Sequence, residues 1–155
     1  MIVPPEQLHR GIAQALESPG LVVPFTHYQY LGKQVTRMVR DADYAPSTFR
    51  PEWVMPDGKS IGAVGITSEA TMAAVGRWDD TFSGWGYDDN AMFHAFGVCA
   101  STSWIEGPAW HLYHEPGWTP SSEADAEATR ANAARLEVYR QASTPEQIRA
   151  LTGSR

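Results

Sequence analysis

Two short stretches of the sequence hold residues whose types and spacing could do chemistry. In FSGWGYDDNAMFHAF, residues 82–96, the adjacent carboxylates Asp88 and Asp89 follow Gly84-Trp85-Gly86 and precede an apolar helical pattern. Acids at a helix start are stabilised by its free N–H groups and dipole, by about 0.3–1 kcal/mol. Glycines on both sides of Trp85 let the backbone turn sharply, which sets a flat indole beside a carboxylate. A sugar ring can stack on such a wall while its hydroxyls bond the acid. The second stretch, WHLYH, carries His111 and His114 beside Trp110, Tyr113, Glu115 and Trp118. On a helical turn the two imidazoles share a face; in an extended segment they point to opposite faces and only one serves a site. Imidazole and carboxylate donors suit Mn, Mg with substrate phosphates, or Zn. His94, inside the apolar helix, reads as a core or rim residue. Most of the six tryptophans read as packing area, with Trp85 alone as a ligand wall.

The elements that must position these residues follow from periodicity and punctuation. PPEQLHRGIAQALESPG predicts a helix over 5–17, with Leu8, Ile12 and Leu16 in one stripe and a Pro-Gly stop. LVVPF reads as a short buried strand. LGKQVTRMVRDADY predicts a helix with Leu31, Val35, Met38 and Val39 facing inward. Residues 45–60, rich in proline, read as a long surface loop. IGAVGITS reads as a strand, and Ser68 caps a short helix that ends at Gly76. A helix over about 89–97, a strand near 99–105 and a histidine-bearing strand or turn follow. The Ala-, Glu- and Arg-rich tail predicts a long helix, then a last one capped by Thr144 or Ser143 with Pro145 in its first turn. Strands alternating with helices give an α/β class with a sheet of three or four strands.

Composition bounds the partners. A chain of 155 residues with 43% apolar residues supports one domain with a real core. A net charge of −6 argues against nucleic acid or an anionic membrane surface as partner. With Cys99 as the one cysteine, a small buried residue by its type, there is no intrachain disulfide or cysteine zinc cage. No signal peptide and no membrane span are visible, so the expectation is a cytoplasmic protein. No Ser-His-Asp order, phosphate loop or zinc-peptidase helix motif occurs.

The ordered run IGAVGITSEATMAAVGRWDDTFSGWGYDDNAMFHAF, followed by WHLYHEP, resembles the C-terminal galactosyltransferase-type region of GT-A-fold, family 2-like glycosyltransferases. The likeness covers residues 61–116, and departs from the family pattern at Arg77 and Trp78. It implies a partial GT-A-like mixed sheet flanked by helices over 1–120, lacking the nucleotide-binding half, and a helical extension over 121–155. It implies inverting transfer of a sugar from a nucleotide-sugar, UDP-linked by expectation, to a hydroxyl or glycan acceptor. Asp89 matches the general base and Asp88 the acid that holds acceptor or base. Trp85 and Gly86 match the acceptor wall and turn, and Asp79 an acid that fixes the loop. His114, or else His111, matches a ligand of Mn2+ (or Mg2+). An Asp at a helix start is ionised at pH 7 and a weak base, adequate when proton loss is late. Met1 follows closely on where the family's Asp-x-Asp metal motif stands, so a separate donor-binding chain or upstream sequence would complete the enzyme. The DAD at 41–43 lies in the wrong order for that motif. Two alternatives remain: a non-catalytic glycan- or partner-binding remnant, and a metal hydrolase using both histidines and the Asp pair.

Overall fold

The computed structural model describes residues 1–45, 49–57, 60–115 and 122–153. The described chain is mixed α/β, with helices α1 (Pro5–Glu17), α2 (Lys33–Asp41), α3 (Glu69–Val75), α4 (Asp88–Cys99), α5 (Glu123–Gln141) and α6 (Pro145–Thr152). Its strands are β1 (Leu21–Val23), β2 (His27–Tyr30), β3 (Trp53–Val54), β4 (Thr102–Trp104) and β5 (Pro108–His111). They form one sheet in the order β3-β2-β5 and a separate pair β1-β4. None of the helices is long and apolar enough to cross a membrane. The chain divides into two compact units, each built from separated segments: Met1–Gln14, Val22–Ile66 and Ser103–Glu115 in the first, Ala15–Leu21, Thr67–Thr102 and the chain after Glu115 in the second.

The first unit is organised by β2. It pairs parallel with β5, Tyr30 opposite His111, and antiparallel with β3, Tyr30 opposite Trp53. The outer edge of β5 is closed by Ile2, which exchanges backbone hydrogen bonds of 2.8 and 2.9 Å with Trp110. Leu31, Val39 and Trp110 form a buried cluster against which Ile2, Val35, Phe49 and Leu112 pack. Gln7, buried on α1, donates to the carbonyls of Pro24 (2.7 Å) and Pro108 (3.0 Å) and so ties the helix to the β1–β2 link and to the start of β5. The apolar stripe that predicts α1 is not its buried face. Gln7 and Gly11 turn inward, and a Cβ at Gly11 would lie 2.7 Å from Ile66 Cδ1, so a larger residue there would have to displace that side-chain tip. Ile12 is 47% exposed.

Three expectations in this unit are corrected. Met38 faces outward on α2 while Thr36 is buried, because the buried stripe runs through Thr36 and Val39. IGAVGITS forms no strand: its one ladder contact is an isolated bridge from Ile66 to Val22, and two glycines in eight residues leave little to pack on a pleated surface. The 45–60 loop contains β3, an edge strand whose pairing with β2 is invisible to local sequence.

The second unit packs α3, α4, α5 and α6 together around Val75, Met92, Phe96, Tyr139 and Ile148, all buried. The two helices expected as an extension beyond residue 120 therefore share a core with α3 and α4. Local chemistry sets their ends as the sequence requires. The Ser68 hydroxyl accepts from the Thr71 N–H, and Gly76 ends α3 at φ 100°. Thr144 and Gln147 cap α6 reciprocally, with Pro145 in the first turn. Cys99 is half-buried rather than enclosed.

Candidate functional site

The four residues Trp85, Gly86, Asp88 and Asp89 come together in the second unit. Gly84 (φ 67°), Gly86 (φ 97°) and Tyr87 (φ 74°) all adopt the left-handed region, so the chain reverses tightly before α4. For tyrosine that conformation is costly, on the order of 1–3 kcal/mol, and persists only where the surroundings enforce it. Tyr87 is also the N-cap of α4 and offers no side-chain hydrogen bond there. The acids are therefore not caps: they occupy the first turn itself, where their charge offsets the exposed N–H groups. Residues Gly84 to Asn90 line an open cleft of about 440 Å³. Trp85 stands 54% exposed on it. No hydrogen bond contributes to the ionisation of Asp89; burial pushes its carboxyl pKa up, and the neighbouring Asp88 charge pushes it further. This modifies the sequence expectation of an ordinary weak base: a raised carboxyl is a better proton acceptor.

The loop that carries this cleft is gripped at both ends by α5. Asp79, 4% exposed, accepts from Thr81 N–H (3.0 Å) and Oγ1 (2.6 Å), from Arg135 Nε (2.9 Å) and from Tyr139 Oη (2.9 Å). These bonds fix the start of the loop to α5. Nearer the turn, the buried Asn132 side chain bonds Ser83 and Gly86, and the Thr129 hydroxyl, which bonds the Asp125 carbonyl at 3.0 Å, also lies 3.4 Å from the Trp85 carbonyl. The sequence reading missed Asn132 and Thr129. One signal was available: asparagine is a poor helix former, and one in the middle of an Ala-rich helix needs a reason.

His111 and His114 come together in the first unit. Their Nε2 atoms lie 3.3 Å apart, on β5 and just beyond it. Of the two geometries the sequence allowed, neither holds as drawn: β5 ends at His111, His114 lies beyond it outside any helix, and the two rings nonetheless meet. His114 Nδ1 donates to the Glu115 carbonyl at 2.9 Å, which leaves its Nε2 lone pair free to accept. The His111 ring packs on Tyr28 and Tyr30, with centroids at 5.8 and 4.9 Å. Burial lowers the His111 pKa, as does the neighbouring His114, against a raising bond from the Leu112 backbone. Two imidazole nitrogens that ligate one ion at about 2.0–2.1 Å stand roughly 3.0–3.4 Å apart, so the pair fits adjacent positions on a divalent cation. Among the described residues no group of three or more His, Cys, Asp and Glu side chains gathers as an ion-holding cluster. The acids and the histidines belong to different units.

The remaining candidates fall into place individually. His94 Nε2 bonds the Ala142 carbonyl at 2.8 Å, which accounts for it as a rim residue. Asp41 ends α2, and Asp41 and Asp43 are both exposed. A larger cavity of about 510 Å³ is bordered by Asp79, Arg149 and Thr152, but the Asp79 carboxylate there is consumed by Arg135 and Tyr139. The tryptophans are less buried than expected: Trp110 is enclosed, whereas Trp53, Trp78 and Trp85 are each about half exposed. Trp118 lies outside the described residues. Compared with family models, with curated proteins and with solved structures, the chain matches none.

Proposed function

We propose that the chain is the acceptor-binding and catalytic-base portion of a galactosyltransferase-like glycosyltransferase with a GT-A-like architecture. One observation carries this reading: an exposed indole and an elevated carboxylate with no hydrogen bond to neutralise it share one open cleft of sugar-sized volume. Trp85 holds the apolar face of the acceptor ring. Asp88 bonds an acceptor hydroxyl and keeps its neighbour's charge unfavourable. Asp89 takes the proton of the reacting hydroxyl as its oxygen forms the new bond to the anomeric carbon; the bond to the nucleoside diphosphate breaks and the diphosphate departs with the electron pair. A single displacement of this kind inverts the anomeric centre. His114 and His111 would hold Mn2+ or Mg2+ by their Nε2 atoms, with phosphate oxygens or water as the other ligands. When bound in the first unit, such a cation would supply positive charge to phosphate oxygens.

The exposure of Trp85 favours one second reading, a glycan-binding protein without catalysis, since a wall and an acid suffice to hold a sugar. Transfer from UDP-galactose and UDP-glucose to a panel of saccharide acceptors, with Mn2+ and with any donor-binding partner reconstituted, separates the two. Turnover that Asp89→Asn abolishes while saccharide binding survives supports the enzyme. Saccharide binding without metal or turnover supports the second reading, and a chain that neither binds saccharides nor transfers them refutes both.

A further inference from the structure

We infer that α5 shapes the cleft and that Asn132 is its positioning residue, the side chain that fixes the Ser83–Gly86 turn on which Trp85 is displayed. The inference rests on the transferase reading for the identity of the ligand and on the geometry of the second unit alone for the clamp. Asn132 is 3% exposed, so its amide must find partners within the protein. It finds them on the turn. Oδ1 accepts from the Ser83 N–H at 3.2 Å, and Nδ2 donates to the carbonyls of Ser83 at 2.8 Å and Gly86 at 3.0 Å. One rigid, planar amide thereby holds both ends of a four-residue reversal. Close to one helical turn earlier, the Thr129 hydroxyl lies 3.4 Å from the carbonyl of Trp85, and Asn132 Nδ2 is 3.5 Å from the same oxygen. A Cβ at Gly84 would stand 3.5 Å from the Ala128 methyl, so the turn lies directly on the helix. With its backbone engaged by α5, Trp85 leaves its indole half exposed on the cleft. Among the described residues no other side chain bonds both ends of this turn, and the left-handed conformation of Tyr87 needs such an enforcing contact.

The consequence is that cleft geometry is read out by a residue touching no ligand. Asn132→Asp keeps the accepting oxygen but replaces the donating nitrogen by a second oxygen facing two carbonyls, whereas Asn132→Ala removes both functions. In protein labelled with 5-fluorotryptophan, and with Trp85→Phe used to assign its signal, both variants should shift or broaden the Trp85 fluorine resonance while the resonances of Trp104 and Trp110 stay in place. Amide exchange over 83–87 should rise at least tenfold, and dissociation constants for whichever saccharides the unmodified chain binds should rise at least tenfold. In the unmodified chain the Ser83 amide should exchange at least tenfold more slowly than that of Trp85, a measurement that needs no variant to fold. An unmoved Trp85 resonance in folded variants, or an unprotected Ser83 amide in the unmodified chain, overturns the clamp. A selective Trp85 response in a chain that binds no saccharide keeps the clamp and removes the transferase reading instead.

Discussion

Replacing Asp79 with alanine should be among the most damaging single changes to the second unit that leave the cleft residues untouched. The Asp79 side chain is 2% exposed and its Oδ2 meets Arg135 NH2 at 2.8 Å, with the Arg135 side chain 29% exposed. The same carboxylate is the acceptor for Tyr139 Oη, and Tyr139 is fully buried. Removing it strands a half-buried cation and an enclosed phenol. Breaking a buried pair from one side costs about 3–5 kcal/mol; we take the lower end, about 3 kcal/mol, because Arg135 keeps solvent access and its bond to the Leu151 carbonyl. For a chain of 155 residues, at about 2–4 °C per kcal/mol, that is a fall in melting temperature of roughly 6–12 °C. Thermal unfolding followed by circular dichroism at several pH values is the assay. Burial alone would raise the Asp79 pKa, but the hydrogen bonds from Thr81, Arg135 and Tyr139 outweigh it and hold the carboxyl below its ordinary 3.8. A folded-state pKa below the unfolded one means stabilisation present above pH 3.8 and lost as pH falls through the folded value, so the gap between the two proteins should close in acid. A variant that melts within 2 °C of the unmodified chain at neutral pH, or a gap that stays constant in acid, would refute the account.

Trp85→Ala should change unfolding free energy by less than about 0.5 kcal/mol, because the indole is half exposed, yet remove saccharide binding as seen by saturation-transfer NMR. Asp89→Asn should lose transfer and gain slightly in stability. The folded-state pKa of Asp89 is raised, so its contribution is present below pH 3.8 and lost as pH rises through the folded value. The variant's gain should therefore grow from pH 3.8 upward in urea titrations, and stay under about 1 kcal/mol because the helix-dipole attraction of the charge is lost with it. Gln7→Leu should destabilise the first unit by about 1–3 kcal/mol in the same titrations, since the Pro24 and Pro108 carbonyls lose their donor.

What the sequence made legible is what short-range chemistry decides. Ser68 and Gly76 bound α3, and Thr144, Pro145 and Gln147 start α6, because caps satisfy backbone groups within three or four residues. The gathering of Trp85, Gly86, Asp88 and Asp89 was equally readable, being contiguous. Hidden features depend on partners far along the chain. β2 and β3 are strands only through their pairing with each other and with β5. The inward face of α1 is set by Gly11 meeting Ile66 and by Gln7 meeting two proline carbonyls, whereas the stripe of large residues suggested otherwise. The convergence of His111 and His114 required knowing that β5 stops at the first of them.

The Asn132 bonds to Ser83 and Gly86 join positions 49 and 46 residues apart. At about 5–20 residues per second, a nascent chain presents the Trp85 reversal some seconds before the amide that captures it has been synthesised. A ribosome stalled before residue 132 would thus carry the indole and the two acids without the amide that bonds both ends of their turn.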